Sequence, residues 1–173
     1  YEKLITIIIP RHVNRTDEII RNLKINKLNF IKHSSNRIIK SNTDIYLVDV
    51  YGETSKFYDL TNVAFLGGSI IKHGGQNPLE PARLGNYILS GPNINNFKEV
   101  YAFLNQIKLS TSTSNEKKIE KLISSKINKK LSGKTRKRII NKGNKILNDN
   151  LKEIMEYIKW KLKDRIFGTK EIY

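Results

Sequence analysis

The sequence predicts an α/β fold, in which a parallel sheet carries helices on both faces and basic C-terminal helices follow. Short apolar segments alternate with helical patterns through residues 1–112, which is typical of parallel sheets. All four prolines and seven of the ten glycines also lie there, whereas residues 113–173 hold 18 Lys and Arg against 7 Asp and Glu. We therefore expect a core over residues 1–112. A basic helical extension over residues 113–173 should pack on that core or on another part of the protein.

Strands are predicted where short, β-branched, apolar runs suit burial in a parallel sheet. In the first run Thr6 alone interrupts the apolar residues, and the second run is the weakest. In chain order, the predicted strands are residues 4–9, 29–33, 44–49, 63–66 and 87–89. A Ser, Thr and Asn patch over residues 110–115 carries no strand prediction.

Helices are predicted from amphipathic spacing and from capping residues. Asn14 or Thr16 should cap the first helix, and Gly85 should end the third. In chain order, the predicted helices are residues 17–26, 52–60, 77–85, 97–106, 116–127 and 135–162, the last as one helix or two. In the fifth helix the apolar stripe is formed by Ile119, Leu122 and Ile123.

Composition narrows the possible partners. The chain has no cysteine, which excludes disulfides and thiolate zinc sites, and no apolar run approaches the roughly 20 residues of a transmembrane helix. The net charge of +16 favours anionic partners, namely nucleic acid, phosphorylated substrates or an anionic membrane. A lysine-rich composition inherited from an AT-rich genome is the alternative explanation. The chain starts at Tyr1 and its single methionine is Met155, so we expect it to be a piece of a longer protein.

Unusual residues cluster where the predicted strands end. The clusters are Arg11-His12, Gly52-Glu53, Gly67-Gly68-Ser69 and Gly91-Pro92-Asn93. Because ligands of parallel sheets bind beyond the carboxyl ends of the strands, this clustering predicts a ligand site at that edge. The fold alone does not name the ligand.

The loop over residues 67–76, called here the glycine loop, holds four of the ten glycines. Free backbone amides in such a loop can cradle a phosphate. The sequence matches neither a P-loop nor a Gly-x-Gly-x-x-Gly motif. A merely flexible loop with glycines at positive φ is an equal alternative.

Glu80 allows two interpretations. Asn77, Pro78 and Glu80 have the spacing of a capping box, with Asn77 at the N-cap and Glu80 at N3. Alternatively, the carboxylate accepts two hydrogen bonds from a ribose diol. Composition alone favours the cap.

The remaining candidates are cationic or imidazole side chains. Arg11 can bind a carboxylate or a phosphate with two hydrogen bonds, or form a surface salt bridge. His12 and His73 can donate hydrogen bonds or act in acid–base chemistry, whereas His33 is interpreted as structural. The spacing of acidic and histidine residues predicts no metal site.

These motifs resemble a known family. Residues 67–100 closely resemble the C-terminal half of 3-deoxy-D-manno-octulosonic acid (Kdo) transferases, glycosyltransferase family 30, through the run GGSIIKHGGQNPLEPARLGNYILSGPNINNFKEV. Three further motifs match in order and spacing: PRH at residues 10–12, DxxGE at residues 49–53 and FLGGS at residues 65–69. The resemblance covers about residues 1–110, and the nine residues HGGQNPLEP are its most specific part.

The resemblance implies a GT-B enzyme, which has two Rossmann-like domains facing across a cleft. This chain then corresponds to the donor-binding domain, and its ligand is CMP-Kdo. The complete enzyme transfers Kdo to a lipid A precursor at the cytoplasmic face of the inner membrane of a Gram-negative bacterium. Neither a metal nor a cofactor is expected. The acceptor domain and the catalytic base are expected upstream, so the chain alone should bind donor weakly and catalyse nothing.

The resemblance also implies donor-binding roles. The residues concerned are Arg11, His12, Gly52, Glu53, Gly67, Gly68, Ser69, His73, Gly74, Gly75, Asn77 and Glu80. Glu80 should hold the cytidine ribose, and Arg11 should meet the phosphate or the sugar carboxylate. Gly67, Gly68 and Ser69 should lie along the nucleotide with Asn77 beside it, while Gly52 and Glu53 line the cleft.

Two positions depart from the family pattern. Val50 stands where many members have Thr, so a hydroxyl contact is lost there, and Gln76 stands where some members have His. The alternative functions are another GT-B sugar-nucleotide transferase or epimerase, or a basic nucleic-acid-binding domain. The nine-residue motif disfavours the first two, and the absence of a binding module with interleaved aromatic residues disfavours the third.

Overall fold

The structure is a computed structural model that describes residues 4–129 and 131–167. For residues 134 and 163–167 it describes the backbone. Six strands occur in chain order: β1 (Thr6–Ile8), β2 (Phe30–Lys32), β3 (Ile45–Leu47), β4 (Val63–Leu66), β5 (Tyr87–Ser90) and β6 (Ser110–Ser112). Six α-helices accompany them: α1 (Thr16–Ile25), α2 (Thr54–Asp59), α3 (Leu79–Leu84), α4 (Lys98–Gln106), α5 (Glu116–Lys126) and α6 (Gly133–Phe167). Three short 3₁₀ turns lie at Val13–Arg15, His33–Ser35 and Asn95–Phe97.

The strands form two parallel sheets with the orders β1-β3-β2 and β4-β5-β6. Every pairing within them is parallel, so the predicted α/β class is confirmed. The single sheet expected from the sequence is resolved as two, because no ladder joins β1 to β4 in the described parts of the chain. Strands of three or four residues leave few ladder positions at that junction.

Both faces of the second sheet are buried. Successive residues of a strand point to opposite faces, and Ile88 and Leu89 of β5 are both fully buried. Ile88 belongs to a cluster that joins strands, loops and helices. Its buried members are Ala64, Leu66, Ala82, Ile88, Tyr101, Leu104, Leu109 and Ile139. The core therefore includes a residue of α6, Ile139, which is 1% exposed.

The basic extension docks on this core through its first half. The Asn115 side chain caps α5 by accepting a hydrogen bond from the Lys118 amide at 3.0 Å. Asn62 donates to the Ile127 carbonyl at 2.6 Å, and the Lys126 ammonium lies 4.7 Å from the centre of the Tyr87 ring. The N-terminal part of α6 packs on α3.

From residue 144 to residue 162 every residue of α6 is exposed. Large apolar side chains are among them: Ile146, Leu147, Leu151, Ile154, Met155, Tyr157, Ile158, Trp160 and Leu162. Within α6, contact with the core is made near its beginning, around Ile139. No helix in the described ranges is both long enough and apolar enough to cross a membrane.

Several sequence predictions need correction. The Ser and Thr patch contains β6, which pairs with β5 although its side chains are small and polar. Neither predicted cap of α1 is used; Thr16 instead donates to the Val13 carbonyl within the preceding 3₁₀ turn. The last helix is continuous and longer than predicted, because Gly143 sits inside α6 without breaking it.

Candidate functional site

The loops after β1 and β3 are joined directly. The Tyr51 hydroxyl accepts a hydrogen bond from the Val13 amide at 3.2 Å. This contact brings the Arg11-His12 segment to the loop that carries Gly52, so two of the predicted clusters meet at the carboxyl edge of the sheet. Gly52 has a φ of +84°, which glycine adopts without strain.

Asp49 ties the end of β2 to the end of β3. Its carboxylate accepts hydrogen bonds from the Ser34 amide at 2.8 Å and from the Ser34 hydroxyl at 2.6 Å. The Lys32 ammonium lies 3.4 Å away, and the Asp49 side chain is 7% exposed. Burial raises the pKa of Asp49, but the Ser34 hydrogen bonds and Lys32 together lower it below its usual value. Asp49 is therefore ionised and holds the His33–Ser35 turn in place.

His33 is part of this support rather than of an open site. Its Nδ1 lies 2.8 Å from the Tyr46 hydroxyl, and its ring packs edge-on against Tyr46 and Phe57. The structural interpretation of His33 agrees with these contacts.

Glu53 is engaged by its own helix. Its carboxylate forms an ion pair of 2.6 Å with Lys56, one turn along α2. The hydrogen bond from Lys56 lowers the pKa of Glu53 below its usual value, and burial opposes this only in part. Glu53 thus lies at the edge of the candidate site as a charge that is already paired.

Glu80 bridges two helices instead of capping its own. Its Oε1 accepts a hydrogen bond from the Ser55 hydroxyl of α2 at 2.6 Å. Asn77 Oδ1 accepts a hydrogen bond from the Leu79 amide at 3.0 Å, but α3 begins at Leu79, so its N-cap position is Pro78 rather than Asn77. The capping-box prediction is therefore wrong for both residues, although the Asn77 side chain does bond the first helical amide. No described residue forms an ion pair with Glu80, and its carboxylate is exposed.

The glycine loop is anchored by Ser69, which is fully buried. Its hydroxyl donates to the Leu66 carbonyl at 2.6 Å and accepts from the Gly91 amide at 2.8 Å. Asn93 donates two hydrogen bonds to the Ser69 carbonyl, one from its backbone amide and one from its side-chain Nδ2. The Ser69 hydroxyl thus holds the loop together, while the expected position of Ser69 along a nucleotide stays a prediction.

The far half of the loop is held against residues 93–96. The Asn96 amide donates to the Gly74 carbonyl at 3.1 Å, and a Cβ on Gly74 would lie 2.4 Å from the Asn96 side-chain nitrogen. Gly75 donates across the loop to the Gly68 carbonyl at 3.1 Å. Gly68, Gly74 and Gly75 all have positive φ. The loop is therefore pinned at both ends, which argues against a merely flexible segment.

The predicted cations and imidazoles point to solvent. Arg11, His12 and His73 are exposed, and none of the described residues forms a side-chain hydrogen bond or ion pair with Arg11 or His12. The Arg11-His12 segment reaches the loop after β3, but no hydrogen bond among the described residues joins it to the glycine loop. Three contributing residues escaped the sequence analysis: Tyr51, Ser55 and Asn96. The sequence offered one indication of their involvement, namely their position within or beside the recognised motifs.

Two other features lie apart from this site. A groove of about 780 Å³ runs along the outer edge of β2, and its lining includes Phe30, Arg37 and Lys40 but no predicted donor-binding residue. No cluster of three or more histidine and acidic side chains suited to a metal ion occurs in the part of the chain that the structure describes.

The parallel sheets and the loops at their carboxyl ends define a Rossmann-like α/β domain. No protein-family model matches the chain. A 3-deoxy-D-manno-octulosonic acid transferase of Haemophilus influenzae is 35% identical over 131 residues, which covers 73% of this chain and 31% of that protein. The Rickettsia prowazekii protein of the same name is 34% identical over 69% of this chain and 26% of its own length. This chain therefore spans about a third or less of these relatives.

A solved structure extends the match to three dimensions. The C-terminal CMP-Kdo binding domain of WaaA from Acinetobacter baumannii superposes with a TM-score of 0.67 at 29% sequence identity, covering 72% of this chain and 65% of that one. The chain belongs with the 3-deoxy-D-manno-octulosonic acid transferases and corresponds to their C-terminal domain.

Proposed function

We propose that this chain is the donor-binding domain of a Kdo transferase and that its site binds CMP-Kdo. The observation that carries the proposal is the placement of Glu80. Its exposed carboxylate follows directly on a glycine loop that is pinned at both ends. A ribose diol needs a carboxylate with free acceptor positions, and a nucleotide backbone needs a loop that side chains do not obstruct.

The other residues take roles that fit their surroundings. Arg11 is free to bind the phosphate or the sugar carboxylate of the donor, with His12 and His73 as further donors. Gly67 and Gly68 lie along the nucleotide, and Asn77 stands beside it with its side chain bonded to the Leu79 amide. Ser69, Gly74 and Gly75 are buried, so they contribute to the donor site by shaping the loop.

The proposed reaction moves Kdo from CMP to a hydroxyl of a lipid A precursor. As the glycosidic bond to CMP breaks, negative charge grows on the departing phosphate. A preorganised cation near that phosphate stabilises the transition state, and Arg11 is an exposed cation at the carboxyl edge with which no described side chain forms an ion pair. In this proposal a protein cation, and not a metal ion, stabilises the charge on the departing phosphate. The acceptor-binding domain and the catalytic base are proposed to lie in the rest of the longer protein.

The site of action is the cytoplasmic face of the inner membrane. Two features support a position near an anionic surface: the charge of the extension and the exposed apolar side chains of α6. Basic residues on a helix with an apolar face attract anionic lipid. The densest basic cluster of the extension is Lys134, Arg136, Lys137 and Arg138, of which the side chain of Lys134 lies outside the described residues.

A comparative titration tests the proposed ligand. CMP, UMP, UDP and a DNA oligonucleotide are titrated separately into the 173-residue chain and followed by NMR, which detects millimolar binding. CMP should shift resonances of the glycine loop and of α3 at lower concentration than the other three. Preference for UDP would indicate another sugar-nucleotide enzyme, and preference for the oligonucleotide would indicate a nucleic-acid-binding domain.

A further inference from the structure

We propose that Ser55 is a positioning residue that holds the Glu80 carboxylate ready for the ribose of the donor. The inference rests on the proposed function, because it assigns a supporting partner to the residue that is proposed to bind the ribose. It goes beyond that function because Ser55 lies outside every recognised motif, on a different helix from Glu80.

The geometry of the pair supports this role. Ser55 is in the first turn of α2 and Glu80 is in the first turn of α3, and the two helices pack together. The hydrogen bond between Ser55 Oγ and Glu80 Oε1 is 2.6 Å long, which is the length expected for a hydroxyl that donates to an ionised carboxylate. The bond fixes an exposed side chain that would otherwise rotate freely.

The charge of Glu80 is felt by its surroundings. Burial raises the pKa of Tyr58 above its usual value, and the negative charge of Glu80 raises it further. Glu80 thus interacts electrostatically with Tyr58 of α2 and accepts a hydrogen bond from Ser55 of the same helix. Since both residues lie on α2, this helix acts as the support for the carboxylate.

Acceptor positions remain for a ligand. An ionised carboxylate offers about four lone-pair positions on its two oxygens, and Ser55 uses one of them. The Oε2 atom and the second position on Oε1 are left, which is enough for the two hydroxyls of a ribose. Ser55 is therefore compatible with the bound ribose and need not leave.

The energetic benefit is the ordering of Glu80 before the ligand arrives. Immobilising a flexible side chain on binding weakens affinity, and a side chain already held in place avoids that loss. Removing the Ser55 hydroxyl should therefore weaken CMP binding by about two- to tenfold. If Ser55 instead competed with the ribose, removing it would strengthen binding.

The test is a double-mutant cycle on the 173-residue chain, with CMP affinity measured by NMR titration. The variants are Ser55→Ala, Glu80→Gln and the pair together. Ser55→Thr keeps a hydroxyl and should retain most of the affinity. Ser125→Ala is the matched control, because Ser125 is an exposed helical serine that bonds only to the Leu122 carbonyl of its own helix.

Ser55→Ala should weaken CMP binding in the wild-type background and add nothing in the Glu80→Gln background. It should also leave binding of 2′,3′-dideoxycytidine monophosphate unchanged, since that ligand has no diol. A merely structural role would weaken both ligands alike and would overturn the proposal.

Two further outcomes separate this proposal from the proposed function. If Glu80→Gln weakens CMP binding while Ser55→Ala leaves it unchanged or strengthens it, Ser55 has no positioning role and the donor site stands. If neither variant changes the affinity, Glu80 does not hold the ribose and the role of Ser55 fails with it, whereas the comparative titration decides separately whether the chain binds CMP.

Discussion

The Gly91 amide donates a hydrogen bond of 2.8 Å to the hydroxyl of Ser69, which is itself fully buried. A Cβ placed on Gly91 would lie 2.3 Å from the Ser69 carbonyl oxygen, closer than side chains approach backbone. The end of β5 and the glycine loop after β4 therefore meet at a position that only glycine fits. The Gly-Pro-Asn motif was recognised in the sequence, but its partner could not be known until the two strands were paired.

Gly91→Ala should destabilise the chain and disturb the glycine loop. The added methyl forces backbone apart in a packed region, which costs about 1–3 kcal/mol of unfolding free energy. Thermal unfolding measures this change, and CMP titration should show a weakened site. Gly143→Ala is the control, because nothing lies within 4 Å of its Cβ position in α6 and alanine favours a helix. Equal melting temperatures for the two variants would contradict the close contact.

Asp49→Ala should lower stability at neutral pH by about 1–3 kcal/mol, because the variant loses hydrogen bonds to an ionised group. The folded pKa of Asp49 lies below its ordinary value of 3.8. The contribution of Asp49 to folding stability is therefore complete at pH values above its ordinary pKa of 3.8. It is lost as the pH falls through the lower pKa of the folded state. Urea unfolding between pH 7 and pH 2 should show the wild-type advantage shrinking only in that acid range. Asp59→Ala removes an exposed carboxylate of α2 and should change stability much less.

Arg11→Lys should weaken donor binding by roughly tenfold, because an ammonium cannot reproduce two parallel hydrogen bonds to an anionic group. Affinity for CMP-Kdo and turnover in the longer protein both report the loss. Arg15→Lys is a matched control, since Arg15 already pairs with Glu18 at 3.1 Å. Wild-type affinity and turnover in Arg11→Lys would remove Arg11 from the site.

The basic extension should bind vesicles that contain anionic lipid at low salt and release them at high salt. Each basic residue near such a surface contributes about 1 kcal/mol, and salt screens the attraction. Co-sedimentation with anionic and neutral vesicles measures the effect. Reversing charge at Lys137 and Arg138 should weaken it without changing CMP binding. Equal binding to both vesicle types, or no binding at low salt, would leave genome composition as the explanation of the charge.

The sequence predicted the positions of the strands more reliably than their exact ends or their pairing partners. β4 was placed correctly because a four-residue apolar run is bounded by Asn62 and Gly67, which mark its ends. β6 was missed because Ser110, Thr111 and Ser112 carry no apolar pattern; they are a strand because β5 supplies their hydrogen-bond partners. Such pairing depends on distant residues, so local patterns cannot reveal it.

Sequence motifs predicted which residues belong to the candidate site, but not which residues they contact. The glycine loop, Asn77 and Glu80 were singled out because their spacing is specific, and their roles toward a donor stay predictions. The partner of Glu80 could not be predicted, because Ser55 lies 25 positions away. The partners of the Ser69 hydroxyl, Leu66 and Gly91, could not be predicted for the same reason, since Gly91 lies on the far side of α3 in the sequence.

Glu80 is proposed to hold the ribose of a cytidine nucleotide, and the affinity of Glu80→Gln for CMP tests this role most directly. Glutamine keeps the shape of the side chain but loses the charge, which should cost about 1.5–3 kcal/mol and weaken binding about ten- to a hundredfold. The melting temperature should stay near that of the wild type, because Glu80 is exposed and does not cap α3. A lowered melting temperature with unchanged CMP affinity would contradict ribose binding by Glu80 and assign this residue a structural role.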